Sequence, residues 1–497
     1  PHLRVVHLGP GEADRRLRDS TDGLRATAPE LSAATALGRG QRRGLVVLAL
    51  LVVLGLVAAP HLTLAVLVGL ATVVYLAALG YRVLLYREGL RPGAAIEVGD
   101  EEARGLVDAD LPLYTVLVPA YREPEVIGSL LASLDRLEYP RDRLDVKVLL
   151  ESDDPETLAA VAAARPGPWV ETVIVPAAQP RTKPKALNYG LGLARGSLVA
   201  IYDAEDRPDP LQLRRAVAAF RSHVPPSVAC LQASLSYYNA GQNRITRWFT
   251  AEYLTWFTRL LPGLVRLGAP VPLGGTSNHI RRPVLLDVGG WDPFNVTEDA
   301  DLGIRLHRAG HQVAILGSVT LEEANSDFVN WVRQRSRWYK GYLLTWLVHM
   351  RRPRLLWRQL GPAGFAGYNL FVGGTPLMAL LNPLFWTLTI LWFVAQPAFV
   401  AQLFPAPVYY PAMASWVLGN FTVLYLDLIS IRAAGRPDLG LTVLTAPAYW
   451  VMMSMAAVKA AVQVVQSPAL WEKTFHGLSL GRPEPVVGPP IEGRGAA

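Results

Sequence analysis

Long apolar stretches near both ends of the chain restrict it to membrane folds. The first two, residues 45–59 and 62–78, are separated by a Pro-His pair and can form a helical hairpin across about 30 Å of hydrocarbon. Arg42 and Arg43 precede this hairpin and Arg82 follows it, which predicts that both of its ends lie in the cytoplasm. With 497 residues, 51% of them hydrophobic, the chain also has room for a soluble domain.

A second apolar region begins after residue 362. Its four runs are 365–381, 383–403, 408–429 and 441–465. The loop 404–407 has no charge and the loop 431–438 is basic, which predicts an external and a cytoplasmic turn respectively. We therefore expect four spans, as transmembrane hairpins at 44–86 and 382–430, with interface helices at 346–381 and 441–466. The alternative is six spans, which would place the basic loop 431–438 on the external side of the membrane.

The ends of the sequence and its overall charge add three expectations. Residues 1–43 are mostly polar and predict a flexible or surface-lying cytoplasmic leader, and residues 483–497, rich in Gly and Pro, predict a disordered tail. The single cysteine, Cys230, excludes an intrachain disulfide and a cysteine-based metal site. The net charge of +7 comes largely from basic residues flanking the apolar runs, which favours lipid headgroups over nucleic acid as a partner.

Between the two apolar regions, at 110–345, short apolar runs alternate with amphipathic segments. Four of these runs have the length and composition of buried strands: 114–118, 146–150, 170–175 and 198–202. Residues 124–136 have the spacing of a helix between the first two. The alternation predicts βα units and a parallel sheet. No GxGxxG or GxxxxGKS motif follows these runs, which argues against a dinucleotide fold and a P-loop.

The last of these runs ends at an acidic turn. Asp203, Glu205 and Asp206 follow it directly. Open α/β sheets bind ligands at the carboxyl ends of their strands, and neighbouring carboxylates repel one another unless a cation neutralises them. Their oxygens suit Mg²⁺ or Mn²⁺ bridging a diphosphate. An acidic turn exposed to solvent is the alternative interpretation of this stretch taken alone.

An ordered set of motifs in the middle of the chain resembles the family 2 glycosyltransferases, in particular the cellulose synthase-like membrane polysaccharide synthases. The motifs are VPAYREP at 118–124, ESDD at 151–154, KPKALN at 183–188, DAE at 203–205, GGTSN at 274–278, TED at 297–299 and QRSRW at 334–338. WEKTFHG at 471–477 is similar to the family's gating loop. The resemblance implies a GT-A-type, Rossmann-like α/β cytoplasmic domain inserted between α-helical transmembrane and interface helices.

The resemblance also implies roles for individual residues. Asp299 is the general base. The residues implied to bind the UDP-sugar are Tyr121, Glu123, Glu151, Asp153, Lys183, Asp203, Gln334 and Arg337. Those implied at the acceptor are Gly275, Thr276, Ser277, Glu298 and Trp338, and those of a gating loop within 467–482 are Trp471, Thr474 and His476. The implied metal ligands are Asp203, Glu205 and Asp206. Glu205 stands where the family has a second Asp, and ESDD departs from the family's usual Asp-Asp-Gly.

Each motif taken alone has a simpler interpretation. The TED sequence is a common helix cap, and Trp338 suits a core or a membrane interface. Lys183 would ordinarily be a surface charge, the GGT sequence a tight turn, and 471–477 a helix end capped by Gly477. The occurrence of all of them in the family's order favours the functional interpretation.

The activity implied by the resemblance is that of an inverting, processive synthase of the plasma (inner) membrane. It would polymerise a β-linked, glucan-like polysaccharide from a UDP-sugar, with UDP-glucose as leading donor and Mg²⁺ or Mn²⁺ as cofactor, and translocate the product. The alternative enzymatic activity is transfer of one sugar from a nucleotide sugar to a polyprenyl phosphate. The non-enzymatic alternative is a channel or transporter that carries a degenerate glycosyltransferase domain. Interface helices or a second protomer could complete a conduit of only four spans, and a periplasmic or cell-surface partner could bind the exported polymer.

Overall fold

A nine-stranded mixed sheet organises the middle of the chain. The computed structural model describes residues 4–468 and 470–473. The strands are β1 (Val5–Val6), β2 (Tyr114–Ala120), β3 (Leu144–Glu151), β4 (Val170–Val175), β5 (Leu198–Ile201), β6 (Arg207–Pro208), β7 (Val228–Tyr237), β8 (Asn278–Arg281) and β9 (Gln312–Glu322). Their order across the sheet is β1-β4-β3-β2-β5-β8-β7-β9-β6. Strands β1 to β5 pair in parallel, whereas β8 is antiparallel to both of its neighbours.

The parallel half of the sheet confirms the strand predictions. The four predicted strands correspond to β2, β3, β4 and β5. Every residue of β2 and β3 is buried, as parallel strands covered by helices on both faces must be. Tyr114 pairs with both Leu144 and Leu198, so three strands start level and end at one edge. The sequence interpretation did not include β7, β8 and β9, which extend the sheet beyond β5.

Helices cover both faces of this sheet. They are α1 (Pro10–Thr27), α4 (Asp100–Gly105), α5 (Ile127–Asp135), α6 (Pro155–Ala163), α7 (Lys183–Leu191), α8 (Gln212–Ala218), α9 (Arg244–Thr255), α10 (Leu261–Arg266), α11 (Arg282–Asp287), α12 (Glu298–Arg308) and α13 (Phe328–His349). The predicted helix 124–136 is α5, and Asp154 caps α6 by accepting a hydrogen bond from Thr157 N at 3.2 Å. Apolar clusters lie on the two sides of the sheet.

The N-terminal segment corrects the prediction of a flexible leader, whereas the surface-lying alternative agrees with α1, in which only Ser20, Thr21 and Leu24 are buried. β1 pairs with β4, and Thr172 N donates to Arg4 O at 2.8 Å. After α1, Ser32 Oγ and Ala33 N both donate to the buried carboxylate of Asp292, at 3.0 and 2.5 Å. The segment is therefore an integral part of the sheet domain, although its polar composition resembles that of a linker.

Five helices in the described part of the chain are long and apolar enough to cross a membrane. They are α2 (Arg39–Ala58), α3 (Pro60–Gly89), the stretch Pro353–Ala395, which is kinked at Gly361, α17 (Ala406–Ala433) and α19 (Ala446–Gln466). The third stretch comprises α14 (Pro353–Tyr368) and α15 (Gly374–Ala395), joined by a π-helical turn at Asn369–Gly373. The short helices α16 (Ala398–Leu403) and α18 (Gly440–Leu444) connect them. The number of crossings stays a prediction.

The predicted span at 383–403 is wrong in its boundaries. α15 begins at Gly374, runs through Pro383 and ends at Ala395, where Gln396 adopts a left-handed conformation. Proline is tolerated inside membrane helices, where Ser and Thr side chains can take up freed backbone groups. Thr387 Oγ1, one turn later, donates to the carbonyl of Pro383 at 2.7 Å.

The membrane helices are attached to the sheet domain through its apolar core. Leu85, near the end of α3, is fully buried in the cluster that includes Leu261 and Leu264 of α10. At the other side, Trp331 of α13 packs with Tyr449 of α19, with ring centroids 5.1 Å apart. These contacts place the carboxyl ends of the parallel strands next to the apolar helices.

Candidate active site

A cavity of about 1300 Å³ opens at the carboxyl ends of β2, β3 and β5 and continues between the membrane helices. Tyr121, Glu151 and Asp203 line it where these strands end. Beyond the sheet, the cavity wall includes residues of α15 from Thr375 to Phe393. These two residues are about 27 Å apart along the axis of an α-helix. The cavity therefore joins the edge at which α/β sheets bind ligands to the space among apolar helices.

Most of the residues predicted from motifs line this cavity. They are Tyr121, Glu123, Glu151, Lys183, Asp203, Glu205, Gly275, Thr276, Glu298, Asp299, Gln334, Arg337, Trp338 and Trp471. Asp153, Asp206 and Ser277 do not belong to its lining, and Thr474 and His476 lie outside the described residues. The fold thus brings together motifs that are far apart in the sequence.

Three charged groups meet beside Gly275. Lys183 Nζ donates to the carbonyl of Gly275 at 2.8 Å and forms an ion pair with Asp203. A Cβ atom at Gly275 would lie 3.4 Å from Asp299 Oδ2, 3.5 Å from Lys183 Nζ and 3.9 Å from Asp203 Oδ2. Burial lowers the pKa of Lys183, but the carboxylates of Asp203 and Glu298 raise it more, so that it lies above its ordinary value. The ammonium group is therefore permanently charged.

Asp299 lies in the first turn of α12, after the N-cap residue Thr297. Its Oδ1 accepts a hydrogen bond from Ala300 N at 2.7 Å. Burial raises the pKa of Asp299 to about 6, although this hydrogen bond and Lys183 oppose the shift. Burial, and then the charge of Asp299, raises the pKa of Glu298 to about 8. Two adjacent carboxyl groups with separated pKa values suit a base beside a neutral acid.

The acidic turn after β5 does not form the predicted three-carboxylate metal site. Asp206 is fully buried, and its Oδ2 accepts hydrogen bonds from Asp203 N, at 2.7 Å, and from Thr276 Oγ1. Among the described residues, no group of three His, Cys, Asp or Glu side chains is arranged to hold a metal ion. The prediction of Asp206 as a third ligand is therefore wrong, because its carboxyl group fixes the turn.

Asp203 and Glu205 nevertheless fit a metal ion that binds together with a diphosphate. Mg²⁺ sites commonly use one or two carboxylates and complete their coordination with phosphate oxygens and water. Burial, and then the charge of Asp203, raises the pKa of Glu205 to about 8, although Lys183 opposes the shift. Glu322, at the end of β9, adds another carboxylate to the wall, and no motif pointed to it.

At the ends of β2 and β3, cationic side chains hold the acidic residues predicted to bind the nucleotide. Glu151 accepts from the buried Lys185 at 2.8 Å, and Asp153 pairs with Arg181 at 2.6 Å. Arg181 also donates to Tyr121 Oη at 3.3 Å. Because Asp153 lies behind Arg181 and outside the cavity lining, it is placed to orient that guanidinium group.

Trp338 and its neighbours on α13 form the wall between the sheet and the membrane helices. Trp338 stacks on Tyr253, with ring centroids 6.1 Å apart and an interplanar angle of 26°. The guanidinium of Arg335 lies 4.5 Å from the Trp338 ring and pairs with Glu252 at 2.5 Å. The sequence interpretation missed Tyr253, Glu252 and Arg335, since the first two lie on α9 outside any motif.

Two other predicted site residues are held by hydrogen bonds within the protein: Gln334, predicted to bind the UDP-sugar, and Ser277, predicted at the acceptor. Gln334 Oε1 accepts from Asn325 Nδ2 at 2.8 Å. Ser277 is fully buried and donates from Oγ to Thr320 Oγ1 at 2.6 Å. Ser277 therefore joins the turn to β9 without reaching the cavity, which corrects its predicted contact with an acceptor.

Residues 470–473 lie across one side of the cavity. Trp471 lines the cavity, and the guanidinium of Arg337 lies 4.7 Å from its ring. Glu472 accepts from Lys459 at 2.8 Å, and Lys473 donates to Arg122 O at 2.6 Å. Residues 472 and 473 of the predicted gating loop are therefore bonded to α19 and to the turn that follows β2.

Two ionisable residues on candidate membrane helices also face the cavity. Arg82 of α3 lies 3.8 Å from Asp427 of α17, whose carboxylate accepts from Thr255 Oγ1 at 2.9 Å. Ionisable groups in membrane helices generally face a bundle interior or a water-filled path. This rule could have identified Arg82 and Asp427 from the sequence.

Two family models match this chain. The model described as glycosyl transferase family group 2 matches residues 198–458, which is more than half of the chain. The model described as glycosyl transferase family 2 matches residues 115–274. Together the two matches extend over residues 115–458, which include β3 to β9 and the helices from α5 to α18.

Several curated proteins resemble the chain over about half of its length. A probable glycosyltransferase of Bacillus subtilis is 27% identical over 235 residues, covering 47% of this chain and 56% of the relative. A beta-monoglucosyldiacylglycerol synthase of Synechocystis is 30% identical over 259 residues, covering 50% and 53%. A probable glucomannan 4-beta-mannosyltransferase of Arabidopsis thaliana is 30% identical over 258 residues, covering 48% and 56%. The chain thus spans about half the length of these relatives.

A solved structure shares the fold. It is a mannosyltransferase from Pyrobaculum calidifontis in complex with GDP-mannose and Mn²⁺, which superposes with a TM-score of 0.51. The sequences are 20% identical, and the match covers 81% of this chain and 99% of the other. At this identity the similarity shows the fold, and it confirms the predicted GT-A-type arrangement.

Proposed function

The chain belongs to glycosyl transferase family group 2, and we propose that it is an inverting, processive membrane synthase of a β-linked polysaccharide. The proposed donor is a UDP-sugar, with UDP-glucose as first candidate, and the acceptor is the growing polymer. The relatives named as a glucomannan mannosyltransferase and a glucosyldiacylglycerol synthase support hexosyl transfer as the reaction class.

The observation that carries this proposal is the continuity of the cavity. It holds Asp299 and Lys183 at one end and the α15 residues as far as Phe393 at the other. Its extent along α15, about 27 Å, is close to the thickness of a bilayer core of about 30 Å. A transferase with a small soluble acceptor has no need of such a cavity, whereas a polymer that leaves through the membrane needs one.

The proposed mechanism is a single displacement in which the acceptor hydroxyl attacks the anomeric carbon. Asp299 Oδ2 accepts the hydroxyl proton, which its pKa of about 6 allows at neutral pH. The C–O bond to the diphosphate breaks as the new glycosidic bond forms, and attack from the opposite face inverts the anomeric centre. Lys183 and Arg337 stabilise the negative charge that develops on the leaving diphosphate.

A divalent metal ion, when bound at Asp203 and Glu205, would supply Lewis-acid stabilisation of the diphosphate. The Mn²⁺ in the Pyrobaculum calidifontis mannosyltransferase supports this assignment. Trp338, fixed by Tyr253 and Arg335, would provide a flat face for the terminal sugar of the acceptor. The side chains at 183, 299, 337 and 338 thus have distinct tasks in binding, proton transfer and orientation.

Product size tests this proposal. Purified protein in lipid nanodiscs would be incubated with labelled UDP-glucose and Mn²⁺, and the products separated by size and digested with β-specific hydrolases. A polymer sensitive to β-glucanase supports the proposal. A panel of other UDP-sugars and GDP-mannose identifies the donor if UDP-glucose is not used.

Transfer of a single sugar to a lipid is the second candidate. The synthase of Synechocystis, named for a glucosylated diacylglycerol, and the apolar helices around the cavity favour a lipid acceptor. The alternative with a polyprenyl phosphate acceptor belongs to the same class. A labelled product that partitions into organic solvent, contains one sugar and requires added lipid would replace the polymerase proposal with this one.

We also propose a plasma (inner) membrane location with the sheet domain in the cytoplasm. Arg42 and Arg43 near the start of α2, and Arg87 near the end of α3, support this orientation through the positive-inside rule. Nucleotide sugars are cytoplasmic substrates, which agrees with it. A protease added to sealed, right-side-out vesicles should leave the sheet domain intact, whereas inverted vesicles should lose it.

A further inference from the structure

Three residues on one face of α13 contact the segment that carries the proposed base. Gly341, Thr345 and His349 are spaced four residues apart and so lie along one side of the helix. Trp338 lies about one turn before Gly341. We call these three residues and their partners on 295–301 the α12–α13 seam.

The first two contacts of the seam are close and polar. A Cβ atom at Gly341 would overlap the side chain of Thr297, so the α13 backbone approaches the N-cap of α12 directly. Asn295 Nδ2 donates to Thr345 Oγ1 at 2.8 Å, and Asn295 Oδ1 accepts from Thr297 N at 3.1 Å. The residue just before the Glu298–Asp299 pair is therefore held from two sides.

The third contact is a buried histidine. His349 Nε2 lies 3.0 Å from Asp301 Oδ1, and Nδ1 lies 2.6 Å from Arg308. Because arginine can only donate, Nδ1 accepts and the Nε2–H donates to Asp301. Arg305 Nε donates to the other oxygen of Asp301 at 2.7 Å. Asp301, Arg305 and His349 are 0%, 2% and 1% exposed, so water does not replace these partners.

The three contacts together define a single position of α13 against the base. The close approach at Gly341 sets the separation, and the two hydrogen-bonded contacts set the rotation and the translation of the helix. Asp299 lies two residues from both Thr297 and Asp301, and Trp338 lies three residues from Gly341. Fixing the seam therefore fixes the distance from the base to the indole that would hold the acceptor sugar.

We propose that Thr345 and His349 are positioning residues for sugar transfer, which act through Asp299 and Trp338 without touching substrate. This inference rests on the proposed function. The donor contacts at Lys183 and Asp203 belong to other elements, α7 and the end of β5, and of the residues proposed to act on the diphosphate only Arg337 lies on α13. The seam should therefore affect transfer much more than nucleotide binding.

The test compares His349→Ala, His349→Gln and Thr345→Val with the wild type. Glutamine can donate to Asp301 and accept from Arg308, so it should restore most of the rate that alanine removes. Since a misplacement of about 1 Å can cost about 10²-fold in rate, we expect kcat to fall between about 10- and 100-fold in His349→Ala. The Kd for UDP with Mn²⁺, measured by calorimetry, should change much less than kcat.

His307→Ala is the matched control, because His307 is a half-buried histidine of α12 whose side chain makes none of the hydrogen bonds of the seam. Wild-type transfer rates in both His349→Ala and Thr345→Val would overturn the proposal, and so would a loss of UDP affinity parallel to the loss of kcat. If the alanine variant does not fold, Thr345→Val decides: a wild-type transfer rate overturns the proposal, and a loss of kcat without a parallel loss of UDP affinity supports it. Failure of the proposed function would instead appear as a wild type that transfers no sugar.

Discussion

Replacing Gly275 with alanine should remove most sugar transfer without unfolding the protein. The added Cβ would lie 3.4 Å from Asp299 Oδ2 and 3.5 Å from Lys183 Nζ, which are tolerable van der Waals distances. Gly275 does not have a positive φ, so alanine can adopt its backbone conformation. We therefore expect the free energy of unfolding to change by no more than about 1 kcal/mol.

The expected loss of activity comes from occupied space. The hydrogen bond from Lys183 to the carbonyl of residue 275 survives the substitution, because the acceptor is a backbone atom. The methyl group, however, fills the gap between Asp299, Lys183 and Asp203, where the reacting sugar diphosphate would lie. A displacement of the reacting atoms by about 1 Å costs about 10²-fold in rate, or about 2.7 kcal/mol of transition-state stabilisation.

The assay measures UDP release and polymer formation by Gly275→Ala in nanodiscs, beside Gly128→Ala as a control. Gly128 lies on the exposed side of α5, where an added Cβ meets nothing within 4 Å. The control should be as active as the wild type and at least as stable. If Gly275→Ala keeps more than half of the wild-type activity while binding UDP normally, Asp299 and Lys183 do not flank the reacting sugar.

Four further outcomes are expected. Asp299→Asn should lower kcat by about 10²- to 10⁴-fold. The wild-type rate should rise with pH through about 6 as the Asp299 carboxyl group loses its proton. A rate independent of pH between 5 and 7 would contradict the role of Asp299 as general base. Trp338→Ala should shorten the polymer on sizing gels at unchanged UDP affinity, and products of normal length would rule out an acceptor platform. Asp292→Ala removes the hydrogen-bond acceptor of Ser32 Oγ and Ala33 N, so it should lower the free energy of unfolding by about 1–3 kcal/mol in thermal melts. An unchanged melting temperature would show that the N-terminal segment is not part of the folded unit. Mn²⁺ should bind weakly alone and more tightly with UDP in titrations followed by electron paramagnetic resonance; equal affinities would argue against a shared site.

The parallel strands could be predicted because their signal is local. β2, β3, β4 and β5 are short apolar runs between turn residues, and burial on both faces requires that pattern. β1 could not be predicted, since it consists of two valines within a polar segment, and its partner Thr172 is far away in the chain. An edge strand held mainly by backbone hydrogen bonds leaves little trace in the sequence.

The site was predictable to the extent that it consists of contiguous motifs. Asp203, Asp299 and Trp338 were recognised because each stands in a short pattern, and all three line the cavity. The errors concern residues inside those patterns, Asp206 and Ser277, whose side chains turn inward to support the backbone. Adjacency in sequence does not determine which side chain of a turn faces the ligand.

The charges around Lys183 indicate how donor and metal would bind. In the described residues Lys183 is paired with Asp203, and the pKa of Glu205 is raised to about 8 by burial and by Asp203. A diphosphate adds negative charge to a wall already rich in carboxylates, and Lys183 cannot fully neutralise both Asp203 and the phosphates. A divalent cation at Asp203 and Glu205 would free the ammonium group for the leaving group. Two carboxylates then suffice, because the diphosphate that needs the cation also completes its coordination.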